Sequence, residues 1–590
     1  MLPETGFARA AWALARAYWS SDDRRTAWAL LAAIVFLALF QVAISVWFNT
    51  WQGDFYNVLE KKDEKEFFRL LGLFAIGASV AIVTAVYSLY LRQMLQIRWR
   101  RWLTDRFLDQ WLAARTHYRL AFVEGVADNP DQRIADDLQN FCAGTLSLSL
   151  GLLSSVVTLV SFVGILWGLS GPLAFTVAGT EISIPGYMVW VAIVYAALGS
   201  WLTYKIGLPL VGLNFEQQKR EADFRFGLIR VRENGEAIAL YRGEADEQRV
   251  LSQRFLALAT NWYALMDYQK RLTWFTAGYA QIAIIFPFLV AAPRYFSGAI
   301  PLGSLVQTSN AFGQVQGSLS WFVDAYTQLA GWKASVDRIL GYQRAMARIE
   351  REMASGAGIS GAPAADGRLS VHGLTLGLPD GRTLIAGADL AVAPGERVLV
   401  AGASGSGKST LFRAIAGIWP WGSGSVARPW HADGHPGGAP AHGRAAVLFL
   451  PQRPYLPLGT LRAAICYPAR PDAFPDGAIK AALEHCRLAP LAARLDEETR
   501  WDRALSPGEQ QRLGFARVLL HQPDWLFMDE ATAAMDETLQ GEMLALLREA
   551  LPRAGIVSIG HRPGLERHHD RRIRIEPGPE GGRLVESAAA

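Results

Sequence analysis

The sequence predicts two folds in one chain, an α-helical membrane-spanning half followed by an α/β half. Three observations carry this reading. The 590 residues are 51% hydrophobic, 11% aromatic and only 19% charged, too apolar for an ordinary soluble protein of that length. Long apolar stretches recur up to about residue 330 and then stop. Beyond them, short β-branched runs alternate with helical patterns around a glycine-rich loop.

Residues 7–20 (FARAAWALARAYWS) set Phe7, Trp12 and Trp19 among Arg9 and Arg16. This suits a helix lying in the membrane interface or a plain connector helix, and does not read as a cleaved signal. Six spans are expected, near 28–48, 69–91, 146–168, 186–206, 273–292 and 303–326. The second-to-third connection is rich in arginine (Arg92, Arg98, Arg100, Arg101), and so is the fourth-to-fifth (Arg220, Arg225, Arg230, Arg232). The third-to-fourth loop has no Lys or Arg, and the fifth-to-sixth has only Arg294. Positive loops stay inside, which puts both termini and the two long connections in the cytoplasm. Those connections are helical in pattern, so the spans should run on below the bilayer as long helices. The sixth span carries Gln307, Asn310, Gln314, Gln316 and Asp324. Such groups either line a wet pathway or join helices.

The net charge of +4 reads as loop arginines rather than a surface for nucleic acid, so no nucleic-acid partner is expected. Cys142, Cys466 and Cys486 fit neither a disulfide framework nor a zinc site and read as reduced and structural. A charged helical pattern at 332–353 leads to ASGAGISGAPAADG, a linker. The expected domains are therefore residues 1–354, a linker at 355–367, and a nucleotide domain at 368–590.

The loop reads GASGSGKST, from Gly402, Ala403, Ser404, Gly405, Ser406, Gly407 and Lys408 to Ser409 and Thr410. It follows a strand-like RVLVAG and opens a helical TLFRAIAGI, the context of a phosphate loop. Its glycines let backbone N–H groups curl around phosphates. Lys408 reaches the β- and γ-phosphates, and the Ser409 hydroxyl suits Mg²⁺. Further motifs follow in order. Gln452 in LPQRPYL is an amide placed for Mg²⁺ and the γ-phosphate. LSPGEQQR offers Ser506 and Gly508 at a helix N-terminus to a nucleotide held by a second copy of the chain. WLFMDE ends a strand on Asp529, for Mg²⁺, and Glu530, for the attacking water. AAMD (533–536) suits a subunit-contact loop, and His561 in SIGHRP follows another apolar strand. Each motif alone is weak, since a lone Gln is usually a surface residue and a lone His structural. Their order and spacing make the set specific.

Together these motifs resemble the ATP-binding cassette of ABC transporters. The resemblance implies ATP and Mg²⁺ as cofactors, ATP sandwiched between two cassettes, and a half-transporter that works as a homodimer. Lys408, Glu530 and His561 then serve hydrolysis. Residues 402–410, Gln452, Ser506, Gly508 and Glu509 hold nucleotide, and Ser409, Gln452 and Asp529 hold Mg²⁺. Four positions depart from the family's usual pattern. Pro507 stands where glycine or another small or apolar residue is common, Glu509 replaces Gln, and Ala533 replaces Ser. LTLGLPDGRTLI holds no aromatic to stack on adenine.

In the membrane half, WFNTWQGDFYNVLEKKD (47–63), NPDQRIADDL (129–138) and EADFRFGLIRVRENGEAIALYRGE (221–244) resemble the BacA/SbmA-like peptide-uptake proteins. They also resemble cassette-bearing relatives in ABC subfamily D. That implies an exporter-type helix arrangement, although bacterial members import antimicrobial peptides or cobalamin-like solutes. The last two segments are expected to couple to the cassettes or to be solvated helix faces. The expected function is ATP-driven import of peptides or other bulky hydrophilic solutes across the bacterial inner membrane. The alternatives are transport of long-chain acyl compounds or lipids, and a membrane ATPase that signals without moving a solute. His431, His435 and His442 sit in a Gly/Pro-rich insert that offers no fixed geometry for a metal.

Overall fold

A computed structural model of the protein describes residues 6–122, 129–177, 180–354, 358–364, 366–430, 446–562 and 564–587. His431, His435 and His442 lie outside them. Contacts gather into two compact units, Met1–Arg106 with Asn129–Gly341, and Phe107–Asp128 with Tyr342–Ala590.

Before residue 355 the main helices are α1 (Phe7–Trp19), α2 (Arg24–Lys61), α3 (Glu64–Leu112), α4 (Thr116–Leu120), α5 (Leu138–Ser170), α6 (Tyr187–Glu233), α7 (Gly235–Tyr241), α8 (Glu244–Phe296) and α9 (Leu302–Ala354). Among the described residues five stretches are long and apolar enough to cross a membrane: Arg24–Lys61, Glu64–Leu120, Pro130–Ser170, Tyr187–Glu233 and Glu244–Phe296. The sixth expected span, 303–326, lies in α9 and is not among them. α9 is a continuous helix of 53 residues whose amides and hydroxyls lower its hydropathy. Of the six expected spans, five coincide with apolar helices, and the sixth, expected to be polar, falls in a helix below that level of hydropathy. The loop expected between the third and fourth spans contains an antiparallel pair, β1 (Pro172–Val177) with β2 (Thr180–Pro185).

Polar groups join helices in this unit. Asn310 on α9 donates to Gln52 on α2. The Gly303 N–H donates to Asn57 at 2.8 Å, and the Leu302 N–H donates to Glu60 at 3.1 Å. A Cβ at Gly303 would lie 1.9 Å from the Gly53 carbonyl, so only glycine permits this approach. Part of the polar set on α9 therefore binds α2. On α6 and α8, Tyr195 and Tyr279 stack at 4.3 Å, and each hydroxyl donates to the other's carbonyl, at 2.7 and 2.9 Å. Asp137, in the NPDQR segment, pairs with Arg133 at 2.9 Å and with Arg338 of α9. α1 buries Ala10, Ala11, Leu14 and Tyr18 while Trp12 faces out. Tyr18 stacks on Trp99 at 5.8 Å and donates to Asp23 at 3.0 Å.

The second unit holds two large sheets and a short antiparallel pair of Gly459–Thr460 with Glu498–Thr499. β3 (Ser360–Pro363), β7 (Gly422–Arg428), β4 (Leu369–Gly377) and β5 (Thr383–Val392) form one, in that order. Here the segment expected to be a linker differs, because Ser360–Pro363 pairs in parallel with β7. The six-stranded sheet runs β12 (Arg583–Ser587), β11 (Arg571–Glu576), β6 (Arg397–Gly402), β10 (Gly555–Ile559), β9 (Trp525–Asp529), β8 (Val447–Leu450). Strand alternation splits its side chains between two cores. Val398, Val400 and Phe527 face α10 (Lys408–Ile415). Leu399, Leu526 and Met528 face α13 (Pro507–His521) and α14 (Glu537–Ala550), with α11 (Leu461–Cys466) and α12 (Asp476–His485) extending that core. The parallel strands β6, β10, β9 and β8 all point their C-terminal ends to one edge, where the motif loops gather.

Candidate active site

The phosphate loop leaves β6 and enters α10. Gly402, Gly405 and Gly407 have φ of 155°, 79° and 95°, conformations that a Cβ would strain. Lys408 opens α10 and is buried. Its ammonium donates to the carbonyls of Gly402 and Ala403 at 2.9 and 2.7 Å, folded back over the loop. Burial lowers its pKa below the ordinary lysine value, while Glu530 and Asp529 pull it upward. Ser409 and Thr410 follow on the same helix turn, and Ala403, Ser404 and Gly405 are exposed.

Asp529 ends β9, and Glu530 turns out of it with φ of +49°. A non-glycine residue adopts that conformation only when its surroundings hold it. Its N–H donates to Ile559 O at 3.0 Å, and its carbonyl accepts from Ala533 N–H at 3.0 Å. One carboxylate oxygen accepts from the Gln452 amide at 3.2 Å, and the other lies 3.4 Å from His561 Nε2. Gln452, Glu530 and His561, taken from three separate motifs, thus meet in one cluster, with Lys408 close enough to feel its charge. Ser409, Gln452 and Asp529 supply a hydroxyl, an amide oxygen and a carboxylate, all hard donors of the kind Mg²⁺ accepts alongside phosphates.

The LSPGEQQR groups bond among themselves. Ser506 caps α13, accepting the Glu509 N–H at 3.3 Å, and Glu509 accepts the Ser506 N–H at 2.9 Å and its hydroxyl at 2.7 Å. Gly508 sits against the contact loop, where a Cβ would lie 3.1 Å from Ala534 O. A cavity of about 610 Å³ beside the phosphate loop is lined by Gly402, Ala403, His561, Arg562 and Arg574, among others.

Sequence reasoning missed several residues here. Ala114 and Arg115 take positive φ, of 47° and 62°, and turn the chain after α3. Arg115 then donates to Ala416 O, and Phe122 packs edge-on to Trp419 and Trp421 at 5.6 and 4.9 Å. The paired tryptophans of IWPWG were the readable signal. Gln511 and Arg562 were also passed over, although both lie inside quoted motifs.

Two family models match, ABC transporter transmembrane region 2 over residues 14–296 and ABC transporter over 385–533. The inner membrane ABC transporter ATP-binding protein YddA of Escherichia coli is 32% identical over 94% of this chain and 94% of its own length. The chain belongs to the ABC transporters. It is a multi-pass half-transporter, one membrane region and one cassette, with ATPase activity coupled to transport. Within the ABC transporters it groups with subfamily D. ABC transporter D family member 2, chloroplastic, of Arabidopsis thaliana is 34% identical over 95% of this chain and 85% of its own. A bacterial Atm1-family ABC exporter with ATP bound shares the fold, with a TM-score of 0.69 at 19% identity over 97% of this chain and 96% of that one.

Proposed function

We propose that this ABC transporter is a homodimer that imports peptides or other bulky hydrophilic solutes across a bacterial inner membrane, with its cassette and both termini in the cytoplasm. The solute class rests on α9. Gly313, Gln314 and Gly317 form a short exposed strip on that helix, inside the expected sixth span and free of the α2 contacts that occupy Asn310 and Gly303. Polar groups at membrane depth are unfavourable unless wetted, so this strip suits a cargo that carries its own hydrogen-bonding groups. Exposed Tyr326 and Leu329 on the same helix favour a second reading, an amphipathic acyl or lipid cargo.

The roles in hydrolysis follow from the cluster. The N–H groups of residues 402–410 cradle the ATP phosphates, and Lys408 swings from the Gly402 and Ala403 carbonyls to the γ-phosphate. Glu530 orients the water, and His561 with Lys408 steadies the phosphoryl charge. Ser409, Gln452 and Asp529 would hold Mg²⁺, which neutralises phosphate charge when bound. Ser506, Gly508 and Glu509 of a second copy complete the site. Glu530→Gln should retain ATP binding and lose about 100-fold or more in turnover. Near-normal turnover in that variant removes Glu530 from the role.

The deciding measurement is uptake of a labelled cationic peptide into cells lacking their own importer, with the intact chain or Glu530→Gln at equal levels. Uptake by the intact chain alone is the expected result. Equal uptake by both separates transport from hydrolysis, and none by either turns the assignment to acyl or lipid cargo.

A further inference from the structure

Gln511 stands on α13, three residues past Gly508, and is 4% exposed. Its side chain reaches three loops at once. The Nε2 donates to Gln452 O at 2.9 Å and lies 3.5 Å from Glu530 O, while Oε1 accepts the Ala534 N–H at 2.9 Å. Those loops carry the amide that touches the Glu530 carboxylate, Glu530 itself, and the contact loop. The contact loop is also held from its other side, where the Arg562 guanidinium donates to Ala533 O and Met535 O. Arg562 directly follows His561.

We propose that Gln511 is a positioning residue for ATP hydrolysis, fixing the Gln452 loop, the backbone of Glu530 and the Ala533–Met535 loop in one register. This rests on the reading of Gln452 and Glu530 given above. The physical reason lies in Glu530. Its left-handed backbone is held at N–H by Ile559 and at C=O by Ala533 with Gln511 alongside. A buried amide with both ends bonded cannot follow one loop without pulling the other two. A movement of the Gln452 loop, or of the contact loop as a second copy docks, is therefore felt at the carboxylate that orients water. Hydrocarbon at 511 would leave the Ala534 N–H and Gln452 carbonyl without partners and release the register. No part of Gln511 approaches the phosphate loop in these contacts, so nucleotide affinity should be spared.

The test uses the full chain in lipid nanodiscs, with Gln511→Leu, Gln511→Glu, Gln452→Ala, their doubles, and Glu530→Gln alongside. Gln511→Glu keeps an acceptor for Ala534 N–H and loses the donor, so it reads the proposal even where Gln511→Leu fails to fold. Expected are a turnover number down about tenfold or more, with KM for ATP and the affinity for a fluorescent ATP analogue within about threefold of the parent. A structural defect would shift both together. In the double variants the combined loss should fall short of the product of the single losses, because the part of the Gln452→Ala effect that depends on the loop's register is already gone. Parental turnover in the Gln511 variants overturns the proposal, and so does a full multiplicative loss in the doubles. Normal hydrolysis in Glu530→Gln overturns the parent reading as well. A silent Glu530→Gln beside normal Gln511 variants overturns this proposal alone.

Discussion

Pro507 replaces the small residue usual at its place in the signature, and the local geometry accommodates it. It is the first residue of α13, where a missing N–H leaves no bond unmade and the fixed φ suits the helix. Ser506 and Glu509 close a capping box around it, so Glu509 does at the third helical position what a glutamine would do. Ser506→Ala should cost about 1 kcal/mol and speed hydrogen exchange in the first turn of α13. Unchanged exchange there would remove the box from the stability of the signature. The motifs themselves were legible because each chemistry demands its residue type. Gln511 was not, since nothing in the letters QQ tells which glutamine turns inward. A pH dependence also belongs here. His569 bonds Leu565 O and the Ser558 hydroxyl, both at 2.7 Å, and His521 bonds Cys466 O at 2.9 Å. Burial, the largest cause, holds both imidazoles below their ordinary pKa. The unfolded chain takes up these protons near pH 6.5 and the folded one only at lower pH. Stability is thus full above about pH 6.5 and is lost as pH falls toward the folded values. The cassette should melt at a lower temperature at pH 5.5 than at pH 7.5, and His569→Asn should narrow that difference. Equal melting at the two pH values in the parent chain contradicts the assignment.

At the scale of elements, long apolar runs made the helices readable, but contacts decided what their polar residues do. Asn310 and Gln314 look alike in sequence, yet the first bonds Gln52 on α2 and the second is exposed. The β1–β2 pair was hidden because its apolar letters adjoin a span, and a short run there reads as loop. Gly303 and Gly53 lie at the same crossing but differ in what a methyl would meet. At Gly303 it meets backbone at 1.9 Å, and at Gly53 the end of the Gln307 side chain at 3.1 Å. Gly303→Ala should destabilise by about 1–3 kcal/mol and Gly53→Ala by clearly less. Thermal unfolding in detergent checks the order, and a reversed order would show that α2 and α9 do not cross there. The elbow after α3 gives another expectation. Phe122→Ala removes the ring packed against Trp419 and Trp421 and forfeits about 1 kcal/mol of aromatic contact. Hydrogen exchange should rise in 107–122 while ATP binding stays, and transport per ATP should fall.

For the whole molecule, the two-part architecture was legible because composition changes sharply near residue 354, where an apolar chain gives way to mixed α/β patterning. The sequence could not say which exposed surfaces await a second copy. One surface stands out at the tip between α6 and α8, where α7 closes on Arg242 with φ of 54°. Leu240 and Tyr241 there are 78% and 88% exposed, a large apolar pair on a connection otherwise rich in charge. In the homodimer proposed above, this pair is a candidate to be covered by the second copy. The native cysteines make that easy to test. Cys142, Cys466 and Cys486 are all buried, and burial pushes Cys466 and Cys486 up to about 11 and about 12, so neither offers a thiolate near neutral pH. Tyr241→Cys would therefore place one reactive thiol on an otherwise silent chain. A thiol-to-amine linker added to that variant in nanodiscs should give a covalent dimer. Mass mapping should find the bridge on the other copy, and Glu530→Gln held with ATP should raise the yield. Bridges confined to the same chain would take the tip out of the dimer contact, as would a thiol that labels freely with maleimide yet never bridges.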